Sequence, residues 1–393
     1  MDKLIKFIIS TFVGSALVYS YYSNTNLFVL RLISLLGLIL FYSSIIVFFS
    51  KKLKESNHLN LGFFVKLYIT TTLILLVYSI KYNLTDLITL FFHPYSFSAF
   101  FAGVIIIFVN TRSINFILKL TYYFNTVLPI ITVFDIFFLN KPVFLIAGYS
   151  FMFLELIFCT KRKRKRYIYF ILLSSLPVFI VFDYRAGLLL TTGFLFALFI
   201  LPYISFIKKR FFKFIMLALL FSIFTYTFFN FNTVYLKITS GISNNRLNTT
   251  DTRSFLFMEF FDDLKEGEYI IGRGYLGKYY SSYFKNLKAE GGDHFNRFSI
   301  EIGVLQILLK GGLVLIISFL TLFIISIYKG FIKNKPGSIK FLLAVWLIIE
   351  LGLIIIENTP AFNLHFFLIW VVIGILNFNV KPSKTEKESI SVR

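Results

Sequence analysis

Apolar residues run along this chain in blocks of roughly 17–25, separated by short polar connectors. At about 1.5 Å per residue a block of that length matches the hydrocarbon core of a bilayer. The blocks predict membrane-spanning helices at about 4–20, 27–49, 63–80, 95–110, 114–138, 143–159, 167–182, 186–206, 212–231, 299–328, 341–357 and 363–378. The expected fold is therefore an all-α polytopic membrane protein of about twelve spans. One long polar stretch, residues 231–298, interrupts the pattern. The expected division is 1–231 for the first nine spans, 232–298 for a large loop with short helices, 299–378 for the last three spans and 379–393 for a tail.

Composition agrees with the pattern. Of 393 residues, 57% are hydrophobic and the mean hydropathy is +0.79, more apolar than a soluble surface allows. The first block lacks a small-x-small cleavage site and begins a series of similar blocks, so it reads as a span and not as a removable signal. The net charge of +21 would suggest nucleic acid in a soluble protein. Here the excess sits in short connectors, where positive charge holds a loop in the cytoplasm. Lys51, Lys52 and Lys54, Arg112, the run 161–166, residues 208–210, residues 329–340 and the tail from Lys381 all fall on one side. That side is expected to be cytoplasmic, with both termini in it and the long loop outside. No nucleic-acid partner is expected. Cys159 is the single cysteine and no Cys/His cluster is present, so neither a disulfide nor a metal site is expected.

Polar residues inside apolar blocks are costly and mark contact with protein or water. Arg31, Asp135, Lys310, Glu350, Glu357 and His365 are of this kind, while Lys66, Lys119 and Glu155 lie near enough to block ends to snorkel. Glu357 and His365 flank a short outer turn and are candidates to line the same cavity as the long loop.

The candidate chemistry lies in and beside that loop. Asp183-Tyr184-Arg185-Ala186-Gly187 opens the eighth span. Arg185 is either an interfacial residue paired with Asp183 or an anion clamp at a helix N-terminus, where free N–H groups favour phosphate. Arg246 and Arg253 flank Asn248-Thr249-Thr250-Asp251-Thr252, a polar lead-in to a helix over about 254–264, with Asp251 or Thr252 as its cap. Arginine suits phosphate because its planar fork grips two oxygens; the alternative is solvated charge paired with Glu259 or Asp262. Gly272-Arg273-Gly274-Tyr275-Leu276-Gly277 is a tight turn suited to bringing backbone close to a ligand. It fails as a dinucleotide fingerprint because no strand–helix unit surrounds it. Tyr275, Tyr279, Tyr280 and Tyr283 suit either sugar stacking or the membrane interface. Gly291-Gly292-Asp293-His294 offers His294 as a general base near neutral pH, with Asp293 and Glu301 as carboxylate alternatives.

Taken together these motifs resemble the O-antigen ligase and O-antigen polymerase superfamily of bacterial envelope glycosyltransferases, over roughly residues 180–315. Asp183–Leu190 is similar to that family's Ser-Arg-Gly-apolar opening, with Tyr184 in place of Ser. Arg253-Ser254-Phe255 and Gly272-Arg273-Gly274 are similar to its Arg, aromatic, Gly-x-Gly progression. Asp293-His294-Phe295-Asn296, then Gly303 and Gly311-Gly312, resembles its His-Asn…Gly…Gly element, except that Asn does not directly follow His294. If Lys310-Gly311-Gly312 sets the register, the family histidine falls near Glu301. The resemblance implies a metal-independent, cofactor-free inverting transferase of GT-C type. Its donor would be a polyprenyl-diphosphate-linked glycan and its acceptor a glycan or the lipid A core, on the periplasmic face. Arg185, Arg246 and Arg253 would bind the diphosphate, His294 or Glu301 would handle the acceptor proton, and Gly272 and Gly274 would position the loop. A polymerase is preferred over a ligase because the ligase spacing around the histidine is not kept. The preference leaves room for a chain-length regulator as partner, beside membrane lipid. The rival from another class is a lipid-linked oligosaccharide flippase or other secondary transporter, which lacks here the internal repeat and the mid-span charges it needs.

Overall fold

A computed structural model describes residues 2–54, 62–80, 83–182, 184–205, 252–281, 296–335, 337–356 and 358–378. The described residues are all-α apart from a two-residue antiparallel ladder, and their long apolar helices make this a membrane-embedded protein. Among the described residues five helices, including 2–25, 111–139 and 303–331, are long and apolar enough to cross a bilayer. Each apolar block read above carries helix, except 212–231, which lies outside the described residues.

In chain order α1 (Asp2–Thr25) and α2 (Phe28–Lys54) form a hairpin. Its seam is made of small residues. Ser15 donates to the Ser34 carbonyl at 2.8 Å, and a side chain on Gly37 would meet Ser15 Cβ at 2.8 Å, so the two backbones approach closely. Next come α3 (Phe63–Ser79), the amphipathic α4 (Leu84–Phe92), and a broken segment of α5 (Phe97–Phe101), a 3₁₀ turn and α6 (Ile105–Phe108). Helix α7 (Thr111–Leu139) begins with a reciprocal cap. Asn110 accepts from the Ser113 N–H at 2.9 Å, and Ser113 Oγ accepts from the Asn110 N–H at 2.7 Å. Asn140, in the left-handed region at φ 52°, ends it. A second broken segment, α8 (Val143–Gly148) and α9 (Ser150–Phe158), leads to α10 (Arg162–Val181) and α11 (Arg185–Ser205).

After the undescribed stretch come two short helices, α12 (Thr252–Asp263) and α13 (Glu268–Ile271), and the ladder β1 (Tyr279–Tyr280) with β2 (Asn296–Arg297). Then follow α14 (Gly303–Phe331), α15 (Ile339–Ile356) and α16 (Leu364–Asn377).

Helix α16 is the hub. Every residue from Leu364 to Leu376 is buried, including Trp370 and His365, and the helix touches α1, α6, α8, α9, α14 and α15. A helix apolar on all faces has to sit inside a larger bundle. The outer helices do the reverse: Val77 is 72% exposed and Ile130 74%, apolar faces suited to contact with lipid.

Two contacts orient the bundle. Arg112 at the start of α7 pairs with Asp2 at the start of α1. Near their other ends Tyr21 donates to both oxygens of Asp135 at 3.0 Å, and Asp135 also accepts from the Phe144 N–H at 2.7 Å. The helices α1 and α7 therefore run parallel. Their starts lie at what is here termed the basic end, and the 252–303 segment lies at the opposite, loop end.

The described part of the loop is docked by its glycines. Gly272 (φ +73°) fits against a kink in α14 at Gly312 (φ +60°), with Gly311 N, Gly312 N and Leu308 O all 2.7–2.8 Å from where a Cβ would stand. The Arg273 N–H donates to the Leu309 carbonyl at 2.8 Å, and the Tyr275 N–H to Ser79 Oγ at 2.8 Å. The glycine turn thus brings backbone close to the protein's own helix. Tyr275 and Tyr279 are fully buried. Both the sugar-stacking and the interface expectation fail for these two, because ring burial against Phe97, Phe100 and Phe260 takes their apolar faces. Tyr280 stays partly exposed, and Tyr283 lies outside the described residues.

Candidate functional site

Glu350 is a costly residue to bury. It lies near the loop end of α15, has no exposed surface, and follows Trp346 by one helical turn. One oxygen is 2.9 Å from His365 Nε2 in the first turn of α16. That nitrogen approaches off the direction a good hydrogen bond needs, and neither carboxylate oxygen has a well-directed donor. A buried carboxylate in that condition costs several kcal/mol relative to water, which makes it a functional candidate by default.

His365 is held from three sides. Its Nδ1 is 2.5 Å from Ser150 Oγ, its Nε2 is 2.6 Å from Asn358 Nδ2, and Tyr149 stacks on its face at 5.4 Å and 12°. The positioning elements are easily traced. Tyr149 and Ser150 sit where α8 breaks into α9, and Asn363 caps α16 by accepting from the Phe366 N–H at 2.8 Å, which fixes the turn carrying His365. As placed, Nε2 accepts from the Asn358 amide, and Nδ1 lies against Ser150 Oγ. Ser150, His365 and Glu350 form a chain in the order of a hydrolytic triad, but Ser150 is 1% exposed and shut in by Tyr149. A nucleophile needs access to its substrate, so this serine is a positioning group.

The chain continues along the loop end. Asn358 and Thr359 follow α15, and Thr359 Oγ1 donates to the Ile300 carbonyl at 2.6 Å. Gln306 accepts from the Ile300 N–H at 2.9 Å and donates to the Tyr95 carbonyl at 3.2 Å. Lys310, fully buried, donates to the Gly277 carbonyl at 2.7 Å with its ammonium 3.5 Å from the centre of the Phe298 ring. His93 packs against the same ring at 4.2 Å. Among the described residues no carboxylate pairs with Lys310. Its charge rests on a carbonyl and a ring face, contacts that are favourable but weaker than an ion pair when desolvated.

The residues named from sequence fall unevenly around this seam. Arg185 opens α11, half-buried, directly after Tyr184, whose ring lies 5.7 Å from Tyr149. It is therefore one residue removed from the aromatic wall of His365. Glu301 is exposed at the entrance to α14 and faces Arg297 at 3.5 Å. Arg253 lies in the first turn of α12, in the helix expected there, and its side chain is outside the described set. Arg246, Asp293, His294 and Asp183 also lie outside the described residues. Gly272 and Gly274 (φ +74°) occupy the docked turn. Arg273 between them is committed internally. Its guanidinium binds Asp263 at 2.5 Å, Glu268 at 2.8 Å and the Asp263 and Lys278 carbonyls. Burial alone would raise the Glu268 carboxyl, but the bonds from Arg273 and the Lys265 N–H outweigh it and hold it below the usual range.

Sequence reading passed over His93, Tyr149, Ser150 and Gln306. The scarcity of histidine, four in 393 residues, would have drawn attention to His93. Nothing in the sequence marks Ser150 as the partner of a histidine 215 positions away. Among the described residues no group of His, Cys, Asp and Glu is arranged to hold a metal. Comparison with protein-family models, with curated proteins and with solved structures gave no match.

Proposed function

We propose that this protein is a membrane-embedded glycosyltransferase of surface polysaccharide assembly. It would move glycan from a polyprenyl-diphosphate carrier to an acceptor sugar. In this reading the bundle has about twelve spans in a GT-C-like arrangement in a bacterial inner membrane. The basic end and both termini face the cytoplasm by the distribution of positive charge, and the loop end faces the periplasm. The observation that carries the proposal is the gathering, at the loop end alone, of the buried Glu350–His365 pair, Arg185 and the docked 268–281 segment.

Outside the cytoplasm no ATP is available, so the energy of glycosidic bond formation resides in the donor diphosphate. The acceptor hydroxyl attacks the anomeric carbon, the bond from that carbon to the diphosphate oxygen breaks, and the carrier leaves as its diphosphate. Arg185, Arg246 and Arg253 are assigned to the charge that grows on the leaving group, the preorganised electrostatic contribution. His294 or Glu301 accepts the acceptor proton. Glu301 is accessible for that task, whereas His365 is enclosed and acts through the position of its neighbours. The preferred product is a lengthened lipid-linked polymer; transfer to a lipid A core is the close second.

One observation favours a different class. A buried Glu–His pair enclosed between helices is also what a proton-coupled flippase of lipid-linked oligosaccharide needs. A deletion strain complemented with wild type, Arg185→Ala, Arg253→Ala, His294→Ala or Glu301→Gln decides, with membrane levels of each variant matched. A polymerase is indicated if long glycan collapses to core bearing one repeat unit, and a ligase if bare core appears while lipid-linked polymer accumulates. Lipid-linked repeat units trapped on the cytoplasmic face would overturn the transferase in favour of transport. An unchanged glycan profile in the deletion strain would remove both.

A further inference from the structure

A second polar site lies at the basic end, away from everything above. Between α1 and α7 the surface opens into a groove of about 630 Å³ lined by Lys6 of α1 and by Arg112, Asn115, Phe116, Lys119 and Tyr123 of α7, with Leu120 at its floor. The α7 positions follow a spacing of three, four, seven and eleven from Arg112, so they form one stripe on one helix face. The stripe changes character along its length. Arg112 stands at the helix start, and Lys119 is seven residues further, about 10 Å deeper. Beyond it come Leu120 and Tyr123, and Tyr123 belongs to an exposed apolar face that continues through Val127 and Ile130.

The charges are unevenly used. Arg112 pairs with Asp2, and Lys6 extends over the Phe116 ring at 5.9 Å. Lys6 and Lys119 are both exposed, and among the described residues neither meets a carboxylate. The groove therefore presents two uncompensated ammonium groups at its mouth and an apolar track leading from it into the lipid-covered face. The other basic cluster offers no such arrangement where it has been partnered. Arg164 of the 161–166 run binds Glu155 at 2.6 Å and is held between Tyr122 and Tyr167 at 4.2 and 4.7 Å.

We propose that the Lys6–Arg112–Lys119 groove is a binding site for the headgroup of an anionic glycerophospholipid. The phosphate sits between the two lysines, with Arg112 at the water side, and one acyl chain follows Phe116, Leu120 and Tyr123. A headgroup layer is roughly 5–8 Å deep, about the drop from Arg112 to Lys119 once the lysine stem snorkels back. The site selects negative charge because a zwitterionic head would bring its own cation against Lys6 and Lys119. It selects lipid over free phosphate because the apolar track contributes only when a chain is attached. This inference is independent of the reaction proposed for the loop end.

The test uses the full-length purified protein and native mass spectrometry, titrating cardiolipin and, separately, phosphatidylcholine. The variants are Lys6→Gln/Lys119→Gln, Lys6→Arg/Lys119→Arg and, as control, Lys163→Gln/Lys165→Gln. Lys6, Lys119 and Lys163 are exposed and Lys165 is half-buried, and equal melting temperatures verify the folding of every variant. Loss of two surface cations should lower the population carrying cardiolipin at least about tenfold. The arginine pair should retain it, and the control pair should lower it less than about threefold. Added inorganic phosphate at about 10 mM, well below physiological ionic strength, should leave the lipid adducts in place. Equal loss in the groove and control variants, equal retention of phosphatidylcholine, or displacement by inorganic phosphate would each overturn the proposal. The last outcome would reassign the groove to free phosphate.

Discussion

Replacing Gly272 by alanine tests the docking of the loop onto the membrane bundle. Two costs combine. At φ +73° an L side chain loses about 1–2 kcal/mol against its preferred backbone. The new Cβ would also stand 2.7 Å from Gly311 N, 2.7 Å from Gly312 N and 2.8 Å from Leu308 O. All three are main-chain atoms of one helix and cannot rotate away, so overpacking adds about 1–3 kcal/mol. The sum is about 2–5 kcal/mol. Gly337 separates the two contributions, because its φ is +78° and nothing lies within 4 Å of its would-be Cβ. Gly337→Ala should cost the first amount alone. The reporter is Ser79→Cys in a Cys159→Ser background. Ser79 is 4% exposed and covered by the Tyr275 N–H, so a thiol there reacts with maleimide only when the turn lifts. At 1.4 kcal/mol per tenfold, Gly272→Ala should accelerate labelling by about 30-fold to 3,000-fold, up to the rate of the unprotected thiol. Gly337→Ala, in the turn before α15, should leave the labelling rate unchanged while lowering overall stability in a detergent titration. If Gly272→Ala labels no faster than Gly337→Ala, the docking against α14 is not what shields Ser79, and the reasoning fails.

Two further outcomes follow from buried charge. His365→Leu leaves Glu350 enclosed without a partner and should destabilise by about 3–5 kcal/mol, whereas Glu350→Gln/His365→Leu should recover part of that loss; unfolding of the singles and the double in detergent gives the coupling energy. Glu268 has a lowered folded-state pKa, so its stabilising contribution is present above the ordinary glutamate range and is lost as pH falls through the lowered folded value. Its side chain is 27% exposed, so the contribution is about 1 kcal/mol or less. The difference in melting temperature between wild type and Glu268→Gln should be flat from pH 8 to 6 and shrink below about pH 4.3; a difference that grows on acidification would contradict the Arg273–Glu268 bond.

The helices were legible because bilayer crossing demands length, and length survives in sequence without any knowledge of partners. The helix at 252–263 was legible too, since Leu256 and Phe260 recur one turn apart behind a polar lead-in, and both are buried. What sequence did not carry was partnership. The block 95–110 reads as one helix, yet it breaks at Ala102–Val104, where Gly103 lies against the Tyr68 ring. Gly272 announces freedom of φ but not that its neighbour would be the backbone of Gly311 and Gly312. Tyr275 and Tyr279 look like interface residues because an aromatic ring carries the same pattern whether it meets headgroups or Phe100. The Ser150–His365–Glu350 contact joins three helices, and no local periodicity can report a contact between positions so far apart.

The turn at residues 273–277 is tied at three points to two different helices: Arg273 to Leu309, Lys310 to Gly277, and Tyr275 to Ser79 at the end of α3. Mechanically this is a brace. Sliding α3 past α14 by one helical turn, about 5.4 Å, would break the cross-tie at Ser79 before either helix had lost its own hydrogen bonds. The first part of α14 and the end of α3 are thereby tied together, and the kink at Gly312 marks where that part of α14 ends. Relative movement of helices at this end then belongs to pairs the brace does not span.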